Sequence, residues 1–309
     1  GPIKVADIMN ETSLPELIVP GFENRSRAFI QIQQGCDHRC TFCIIPFGRG
    51  NSRSVPLRRI IEQARRLTEA GYKEAVLTGV DISSYQGENA GGLGALVRQL
   101  LAAVPKLARL RLSSLDPAMV DQDLIALAAD EPRLMPHFHL SVQAGNDLIL
   151  KRMKRRHSRE DAIAFCEEAR RLRPDIVFGA DIIAGFPTET DEMFENSLRH
   201  VDECGLTWLH VFPYSPRPGT PAARMPQVER ALIKERAARL RQKGVERLRA
   251  HLESGLGATC PVLMETGTMG RTHQFTPVRL EGGKAQAGDI LPVQLAGHDG
   301  KRFKGLLAA

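Results

Sequence analysis

The chain has 309 residues, of which 42% are hydrophobic and 25% are charged, and its net charge is +6. This composition is ordinary for a folded globular protein and argues against wholesale disorder. No apolar run approaches the roughly 20 residues of a membrane-spanning helix, and six cysteines are too few for a disulfide scaffold. We therefore expect a cytoplasmic protein with one large domain and a small appendage.

The N-terminal segment is predicted to be a linker. Gly1-Pro2 is typical of the residues left after protease removal of a tag. The next twenty or so residues contain prolines and have no clear period. We assign 1–24 to this remnant and to a linker from an N-terminal domain that is absent from the chain.

From Arg27 onward, short β-branched runs alternate with helical stretches. AFIQIQ is the first predicted strand, and PLRRIIEQARRLTEAG is a helix that ends at Gly71. The series continues as EAVLTG, GALVRQLLAAV, LARLRLSS, DLIALAA, HFHLSVQ, a helix around 160–172, DIVFGADIIAG, a helix around 189–203 and TWLHVFPY. Six strands with intervening helices predict a parallel α/β sheet, either doubly wound or curled into a barrel.

The C-terminal part has a different pattern. A charged amphipathic helix is predicted from Pro226 to about Leu256. TCPVLMET, QFTPVRLEGG, DILPVQLAGHDG and RFKGLLA are then short alternating strands that predict a small antiparallel β-barrel. We place the core at 25–252 and the barrel at 253–309. The apolar helix positions near one face are Val228, Leu232, Leu240, Val245, Leu248 and Leu252.

Polar motifs follow the predicted strands, where the rim of a parallel sheet carries active sites. The cysteine loop, TGVD, SSLDP, SVQ, GADIIAG and PYSPRPGT are therefore expected to face one pocket. Two basic stretches add charge: 151–159 has six positive residues and no acid, and 230–249 has eight against two glutamates. Such stretches suit a polyphosphate partner or a solvated helix face.

Three cysteines, Cys36, Cys40 and Cys43, have the spacing C-x3-C-x2-C. A closed zinc or iron–sulfur site uses four ligands, so three thiolates on a cubane leave one iron open for a non-protein ligand. The alternative is a zinc site with His38 as fourth ligand, which its position between two of the cysteines disfavours. The remaining cysteines are expected to be buried, inert thiols: Cys166, Cys204 and Cys260.

These motifs resemble those of the radical S-adenosylmethionine (SAM) methylthiotransferases. The likeness rests on QGCDHRCTFCIIPFGRGNSRSVP, LTGVD, SSLDP, DIIAGFPTET and VFPYSPRPGTPA, and it covers nearly the whole chain from Arg25. GCDHRCTFCIIP followed by GRGNSRS is most similar to members that modify threonylcarbamoyladenosine in tRNA. The sister enzymes for isopentenyladenosine and for a ribosomal-protein aspartate usually differ in that loop.

The resemblance implies a partial (β/α)6 TIM-like barrel, with a C-terminal TRAM-like RNA-binding barrel. It also implies one [4Fe-4S] cluster on the three loop cysteines, which binds SAM and splits it reductively. Family members hold a second cluster in an N-terminal domain, so we expect this chain alone not to complete methylthio transfer. The implied partners are tRNA carrying threonylcarbamoyladenosine and an electron donor protein; we expect a monomer without membrane contact.

Several residues are similar to SAM contacts of the family. Phe42 would pack near the adenine, or else it is an ordinary hydrophobic residue that fills the interior of the loop. Thr78, Gly79 and Asp81 lie in the stretch that receives the SAM amino group, although Asp81 is also suited to cap a helix. Ser114 would bind the methionyl end or cap its turn.

Three further residues are similar to SAM contacts of the wider superfamily. Gln143 and Asp181 would hold the ribose hydroxyls, and Arg155 would hold the carboxylate through its planar fork. Arg152 or Arg156 are alternatives to Arg155, and any of the three suits tRNA phosphate. Ala144 stands where the family commonly has a serine.

Substrate contacts are expected in the rim loops. Arg49, Arg53, Tyr214 and Arg217 suit stacking and hydrogen bonding to a flipped base or its threonylcarbamoyl group, or else are surface loop residues. Two rivals stay open: the same chemistry on a protein side chain, and a zinc-dependent nucleic-acid-binding module. Basic barrel residues suited to follow an RNA backbone are Arg271, His273, Arg279, Lys301, Arg302 and Lys304.

Overall fold

A computed structural model describes residues 7–12, 14, 21, 25–87 and 91–308, so most of the predicted linker lies outside the described residues. The strands are, in chain order, β1 (Arg27–Gln31), β2 (Gln33–Gln34), β3 (Arg53–Ser54), β4 (Glu74–Thr78), β5 (Arg109–Leu112), β6 (His137–Gln143), β7 (Val177–Ala184), β8 (Leu206–Pro213), β9 (Thr259–Met264), β10 (Met269–Thr272), β11 (Pro277–Leu280), β12 (Ile290–His298) and β13 (Phe303–Leu307). The helices are α1 (Ile45–Arg49), α2 (Leu57–Glu69), α3 (Leu93–Ala103), α4 (Gln122–Asp130), α5 (Asp147–Met153), α6 (Arg159–Leu172), α7 (Asp191–Glu203) and α8 (Arg230–Ser254).

Six parallel strands form the core of the large unit. β1, β4 and β5 pair in that order, and so do β6, β7 and β8. A parallel bridge between Leu115 and Leu140 joins the two sheets. Because the six strands lie side by side in chain order, the architecture is the partial TIM-like barrel and not a doubly wound sheet, whose strand order reverses.

The side chains of these strands alternate between two faces, as the period of a β-strand requires. Ile30, Leu77, Leu110, Leu140 and Ala180 are buried in the main apolar cluster between the strands and the helices. Residues of the opposite parity face the lumen of the half-barrel and are largely polar. They include Glu74, Arg109, Arg111, His139, Asp181 and His210.

The C-terminal unit is a closed five-stranded barrel with the order β10, β11, β13, β12, β9. Four of its pairings are antiparallel, as predicted, but β11 and β13 pair in parallel. Sequence analysis missed β10, because Gly270 and its polar neighbours read as a turn. A Cβ at Gly270 would lie 2.6 Å from Val262 Cγ1, so glycine lets the neighbouring strand pack closely.

The small barrel covers the amino-terminal ends of the core strands. Arg109 donates to the carbonyl oxygen of Pro261 at 2.9 Å, and Arg111 donates to that of His273 at 3.2 Å. The Phe275 ring lies beneath the guanidinium of Arg111, 4.7 Å from the ring centroid. The carboxyl-terminal rim, where the cysteine loop lies, is therefore the open end of the core.

Helix α8 packs along β8 and β7, but the predicted apolar face is only partly correct. Ile233, Ala237 and Leu240 are buried at spacings of four and three residues, whereas Val245 is 55% exposed. The N-terminal half of the helix is pressed onto the core sheet, and Leu252 in its last turns joins the core of the small barrel. One long helix thus contributes to two separate cores.

Candidate iron–sulfur and SAM site

The cysteine loop leaves the rim after β2 and is held in place by backbone contacts. The Cys36 amide donates to the Gly50 carbonyl at 3.1 Å. Gly35 and Gly50 both have φ of +75°, in the left-handed region. A Cβ at Gly35 would lie 2.0 Å from the Asn51 carbonyl oxygen, so only glycine fits this crossing of the chain.

A second anchor ties the loop to α5, which sequence analysis had recorded only as a basic stretch. Thr41 donates through its amide to the Met153 carbonyl at 3.1 Å and through its hydroxyl to the Arg152 carbonyl at 2.8 Å. The Ala222 amide donates to the Thr41 carbonyl at 2.9 Å. The two ends of α5 are held differently: Asn146, the residue before the helix, caps its start, whereas its last carbonyls accept hydrogen bonds from the cysteine loop.

The three thiols of the loop fit a cluster better than a single ion. A tetrahedral zinc site brings its sulfur atoms within about 3.8 Å of one another. Cys36, Cys40 and Cys43 do not form such a group within 4.8 Å, although they are near enough for Cys40 and Cys43 to act electrostatically on Cys36. Burial raises the pKa of Cys36 to about 12, and it also raises the pKa of Cys43. Bound metal would stabilise the thiolates that burial disfavours.

His38 is directed away from a shared zinc site with all three cysteines. Its Nε2 lies 3.0 Å from Asp81 Oδ2, and the same oxygen lies 3.9 Å from Cys36 Sγ. Burial opposes ionisation of the Asp81 carboxyl, but hydrogen bonds from His38 and Ser84 outweigh it and lower the pKa of Asp81. Asp81 is thus an ionised group beside the cysteine loop.

The backbone of the TGVD stretch is locked against the start of the cysteine loop. The Asp81 amide donates to Gln33 Oε1 at 2.8 Å. A Cβ at Gly79 would lie 2.9 Å from the Gln33 carbonyl oxygen. Thr78 ends β4, and its hydroxyl lies 3.5 Å from the Ile30 carbonyl. These contacts place Thr78, Gly79 and Asp81 at the same rim as the cysteines.

The side chain of Arg155 reaches a cysteine of the loop, whereas the side chains of Arg152 and Arg156 make their contacts elsewhere. Its Nη1 lies 3.7 Å from Cys40 Sγ, and its Nη2 donates to Asp116 Oδ2 at 2.9 Å and to the Ser141 carbonyl at 2.8 Å. Burial opposes ionisation of Asp116, but His157 and Arg155 outweigh it and lower the pKa of its carboxyl. In this structure the guanidinium is therefore already paired with a carboxylate. Arg152 binds Thr188 Oγ1, and Arg156 lies against Met119.

Gln143 and Asp181, the two predicted ribose contacts, lie on neighbouring strands. Gln143 ends β6 with φ of +68°, an uncommon backbone conformation for a residue other than glycine, and the register of β6 against β7 shifts there. Asp181 faces the lumen from β7, where His139 Nε2 and His210 Nδ1 lie 2.9 and 3.2 Å from its Oδ1. Sequence analysis did not identify either histidine, although both have the lumen parity of their strands.

The two aromatic candidates, Phe42 and Tyr214, both pack against Phe186. Phe42 is half-buried and packs edge-to-face on Phe186, with ring centroids 6.4 Å apart. Tyr214 was expected on an open rim loop, but it is 8% exposed and its ring packs on Phe186 as well. The structure therefore does not place its ring as an exposed stacking platform; pairing of its amide with the Ala184 carbonyl draws it inward. Its hydroxyl has no hydrogen-bond partner among the described residues.

The remaining candidates lie at the surface of the rim. Arg49 ends α1 and is exposed, and its carbonyl accepts a hydrogen bond of 2.6 Å from Arg53. Arg217 is exposed on the loop after β8, and its carbonyl accepts from the Thr220 hydroxyl at 2.8 Å. Ser114 is exposed after β5. Two arginines are thus brought together, whereas Arg217 lies on a separate loop.

Comparisons with known proteins show the family of this chain. The family model described as the radical SAM superfamily matches residues 30–201. The threonylcarbamoyladenosine tRNA methylthiotransferase MtaB of Rickettsia prowazekii (strain Madrid E) is 49% identical over 96% of this chain and 70% of its own length. A tRNA-2-methylthio-N(6)-dimethylallyladenosine synthase of Erythrobacter litoralis (strain HTCC2594) is 41% identical over 87% of this chain and 62% of its own length.

Solved structures share the fold at low sequence identity. The radical SAM methyltransferase TsrM from Kitasatospora setae, with cobalamin and a [4Fe-4S] cluster bound, has a TM-score of 0.54 and 18% identity over 63% of this chain and 38% of that one. Coproporphyrinogen III oxidase (HemN) from Escherichia coli, a radical SAM enzyme, has a TM-score of 0.51 and 16% identity over 94% of this chain and 73% of that one.

The partial barrel, with three thiols at its open rim, defines an enzyme core of a class for which a [4Fe-4S] cluster is implied. The chain belongs to the radical SAM superfamily and, within it, to the tRNA methylthiotransferases. The described helices include none with the length and hydropathy needed to cross a bilayer.

Proposed function

We propose that this chain contributes the radical SAM core of an enzyme that adds a methylthio group to N6-threonylcarbamoyladenosine beside the anticodon of tRNA. The observation that carries the proposal is the cysteine loop, whose three thiols have the spacing of a cluster with one open iron. The identity of 49% to a threonylcarbamoyladenosine enzyme supports this substrate. When bound, the cluster and SAM supply a carbon radical that can take a hydrogen atom from an unactivated ring carbon.

The residues of the chain bind and orient these groups. Cys36, Cys40 and Cys43 would hold the cluster. Asp81 would bind the SAM amino group together with Thr78 and Gly79. Phe42, which packs against Phe186, would exclude water on the adenine side of SAM. The remaining SAM contacts would be made by Ser114, Gln143, Arg155 and Asp181.

Substrate binding is proposed for the rim. Arg49 and Arg53 lie together beside the cysteine loop and would bind tRNA phosphate or the threonylcarbamoyl group. Arg217 would act from the loop after β8. The Tyr214 hydroxyl, which has no partner within the described part of the chain, makes this residue a hydrogen-bonding candidate rather than a stacking one.

We propose one cluster for this chain. Cys166, Cys204 and Cys260 are buried on α6, at the end of α7 and on β9, and they do not form a second loop of three. The second cluster of the family, and complete methylthio transfer, would then require ligands from elsewhere. We further propose a cytoplasmic monomer that is reduced by an electron donor protein.

The first test is iron and acid-labile sulfide after anaerobic reconstitution. About four of each per chain are expected for the wild type, with loss in Cys36→Ala, Cys40→Ala and Cys43→Ala. Cys260→Ala is the matched control, because this buried thiol lies in the small barrel, and it should keep the cluster. Zinc in place of iron, or metal that does not depend on the loop cysteines, would contradict the proposal.

The substrate requires a separate experiment, because the relative with 41% identity is named for dimethylallyladenosine. Binding should be compared for anticodon stem-loops carrying threonylcarbamoyladenosine, isopentenyladenosine or plain adenosine at rising salt. We expect the threonylcarbamoyl form to be retained at the highest salt. Preference for the isopentenyl form would show that the substrate is isopentenyladenosine tRNA. Equal binding of all three stem-loops would favour a protein substrate.

A further inference from the structure

Three lumen residues from neighbouring strands converge on one carboxylate oxygen. His139 lies on β6, Asp181 on β7 and His210 on β8, and Asp181 and His210 are direct partners in the parallel pairing. His139 Nε2 and His210 Nδ1 both lie within hydrogen-bond distance of Asp181 Oδ1, whereas Oδ2 accepts no hydrogen bond from the described residues. One oxygen is thus held and the other faces the lumen.

The residues around His139, Asp181 and His210 leave space for the His139 ring. Gly179 is the partner of His139 in the pairing of β6 with β7. A Cβ at Gly179 would lie 2.5 Å from His139 Nδ1, so the imidazole occupies the space that a side chain would fill. The His210 ring lies 4.5 Å from the His139 ring, and it is the exposed member of the pair. Position 179 therefore has to be glycine for the ring of His139 to reach Asp181.

The hydrogen bonds also decide the charge of Asp181. Burial opposes ionisation, but the two imidazoles outweigh it and lower the pKa of Asp181 to about 2. The same contact raises the pKa of His210. Asp181 is therefore an ionised acceptor, and its free oxygen can accept a hydrogen bond from a donor such as a hydroxyl group.

We propose that His139 and His210 are positioning residues of the SAM site, which hold Asp181 Oδ1 and thereby present Oδ2 to the ribose hydroxyls. This inference rests on the proposed function. The histidines do not touch SAM themselves; they set the rotamer and protonation state of the group that does. The same donor set of two imidazoles and one carboxylate also suits a divalent transition metal, which the test must separate.

The test measures the dissociation constant of SAM by anaerobic calorimetry on the reconstituted protein. His139→Leu and His210→Leu each remove a hydrogen bond to a charged group and should weaken SAM binding about tenfold or more. His139→Gln offers an amide nitrogen near the position of Nε2, and His210→Asn offers one near Nδ1, so both should regain most of the affinity. His298→Leu, in the small barrel, should bind as the wild type does.

Each outcome is informative. Equal affinity of the leucine variants and the wild type, at unchanged iron and sulfide content, would overturn the positioning role alone. Equal weakening in the leucine and amide variants would show that the histidines act through packing and would also overturn it. A wild type that holds its cluster but not SAM would overturn the proposed function as well. Stoichiometric zinc bound by a cluster-free Cys36→Ala/Cys40→Ala/Cys43→Ala chain and lost in His139→Leu would reassign the three residues to a metal site.

Discussion

At the residue scale, the cysteine loop depends on a glycine that no other residue can replace. Gly35 stands directly before Cys36 with a left-handed backbone, and its Cα faces the Asn51 carbonyl. A side chain there would be strained both by its φ and by the contact with backbone atoms, which cannot move aside as a flexible side chain does. The position of the first cluster ligand therefore follows from a residue without any ligand atom.

We expect Gly35→Ala to lower the free energy of unfolding by about 1–3 kcal/mol and to reduce iron content after reconstitution. Gly48→Ala is the matched control, because no atom outside its own helix backbone and chain neighbours lies within 4 Å of the position its Cβ would take among the described residues. Urea unfolding and iron analysis of both variants check this. Full iron content and unchanged stability in Gly35→Ala would show that the loop adapts to the side chain.

At the scale of elements, a buried ion pair connects α8 to the loop after β7. Arg236 Nη1 donates to Glu189 Oε2 at 2.9 Å, and both side chains are nearly inaccessible to solvent. The Gly185 amide donates to the same carboxylate at 2.9 Å. Burial raises the pKa of Glu189 to about 7 in spite of the opposing charge of Arg236. Helix α8 thus holds the rim segment that begins at Gly185, the last residue of GADIIAG.

Removing one partner of this pair is expected to be costly. Arg236→Leu should lower the free energy of unfolding by about 3–5 kcal/mol, because it leaves a buried carboxyl without its partner. Arg236→Leu combined with Glu189→Leu should lose less, since no buried charge remains. Arg239→Ala, which changes a residue on α8 like Arg236 and breaks an exposed pair with Glu195 of α7, should cost about 0–1 kcal/mol. Equal losses for Arg236→Leu and Arg239→Ala in urea unfolding would refute the role of burial.

At the scale of the whole molecule, buried polar groups join the core to the small barrel. Glu74 is buried beside Arg27, Arg109 and Arg111 at the amino-terminal end of the lumen. His251 of α8 hydrogen-bonds the Thr276 hydroxyl of the barrel at 2.8 Å. Burial lowers the pKa of His251 to about 4. The interface therefore contains a histidine that stays neutral while the two units are packed together.

Acidification should weaken this interface. An unfolded histidine takes up a proton near pH 6.5, whereas folded His251 resists protonation down to about pH 4. The unfolded state therefore binds more protons in this window, and stability falls as the pH decreases from 6.5 to 4. We expect a lower midpoint of thermal unfolding at pH 5 than at pH 7.5, with a smaller difference in His251→Gln. An equal or higher midpoint at pH 5 would contradict the prediction.

Local sequence determined much of the fold and part of the site. The cysteine loop, six core strands and most helices follow from spacing, apolar periodicity and turn residues, which act between near neighbours along the chain. The location of Asp81 and Gln143 at the rim also follows from the strand pattern, because they lie just after or at the end of a strand, whereas their role as SAM contacts is implied by the resemblance. Helix α5 was missed because it is only seven residues long, which is too short for its apolar positions to show a helical period.

Only the tertiary structure decided which distant groups meet. The period of a strand tells which face a residue takes, but the level at which His139, Asp181 and His210 coincide depends on the register of three strands. Likewise, only the fold distinguishes Arg155 from the alternatives Arg152 and Arg156, through its contact with Cys40, 115 positions away in sequence. Charge and hydrogen-bonding capacity are properties of single residues and can be read along the chain. Their partners are chosen by packing, because a buried polar group is stable only where the fold supplies a complementary group.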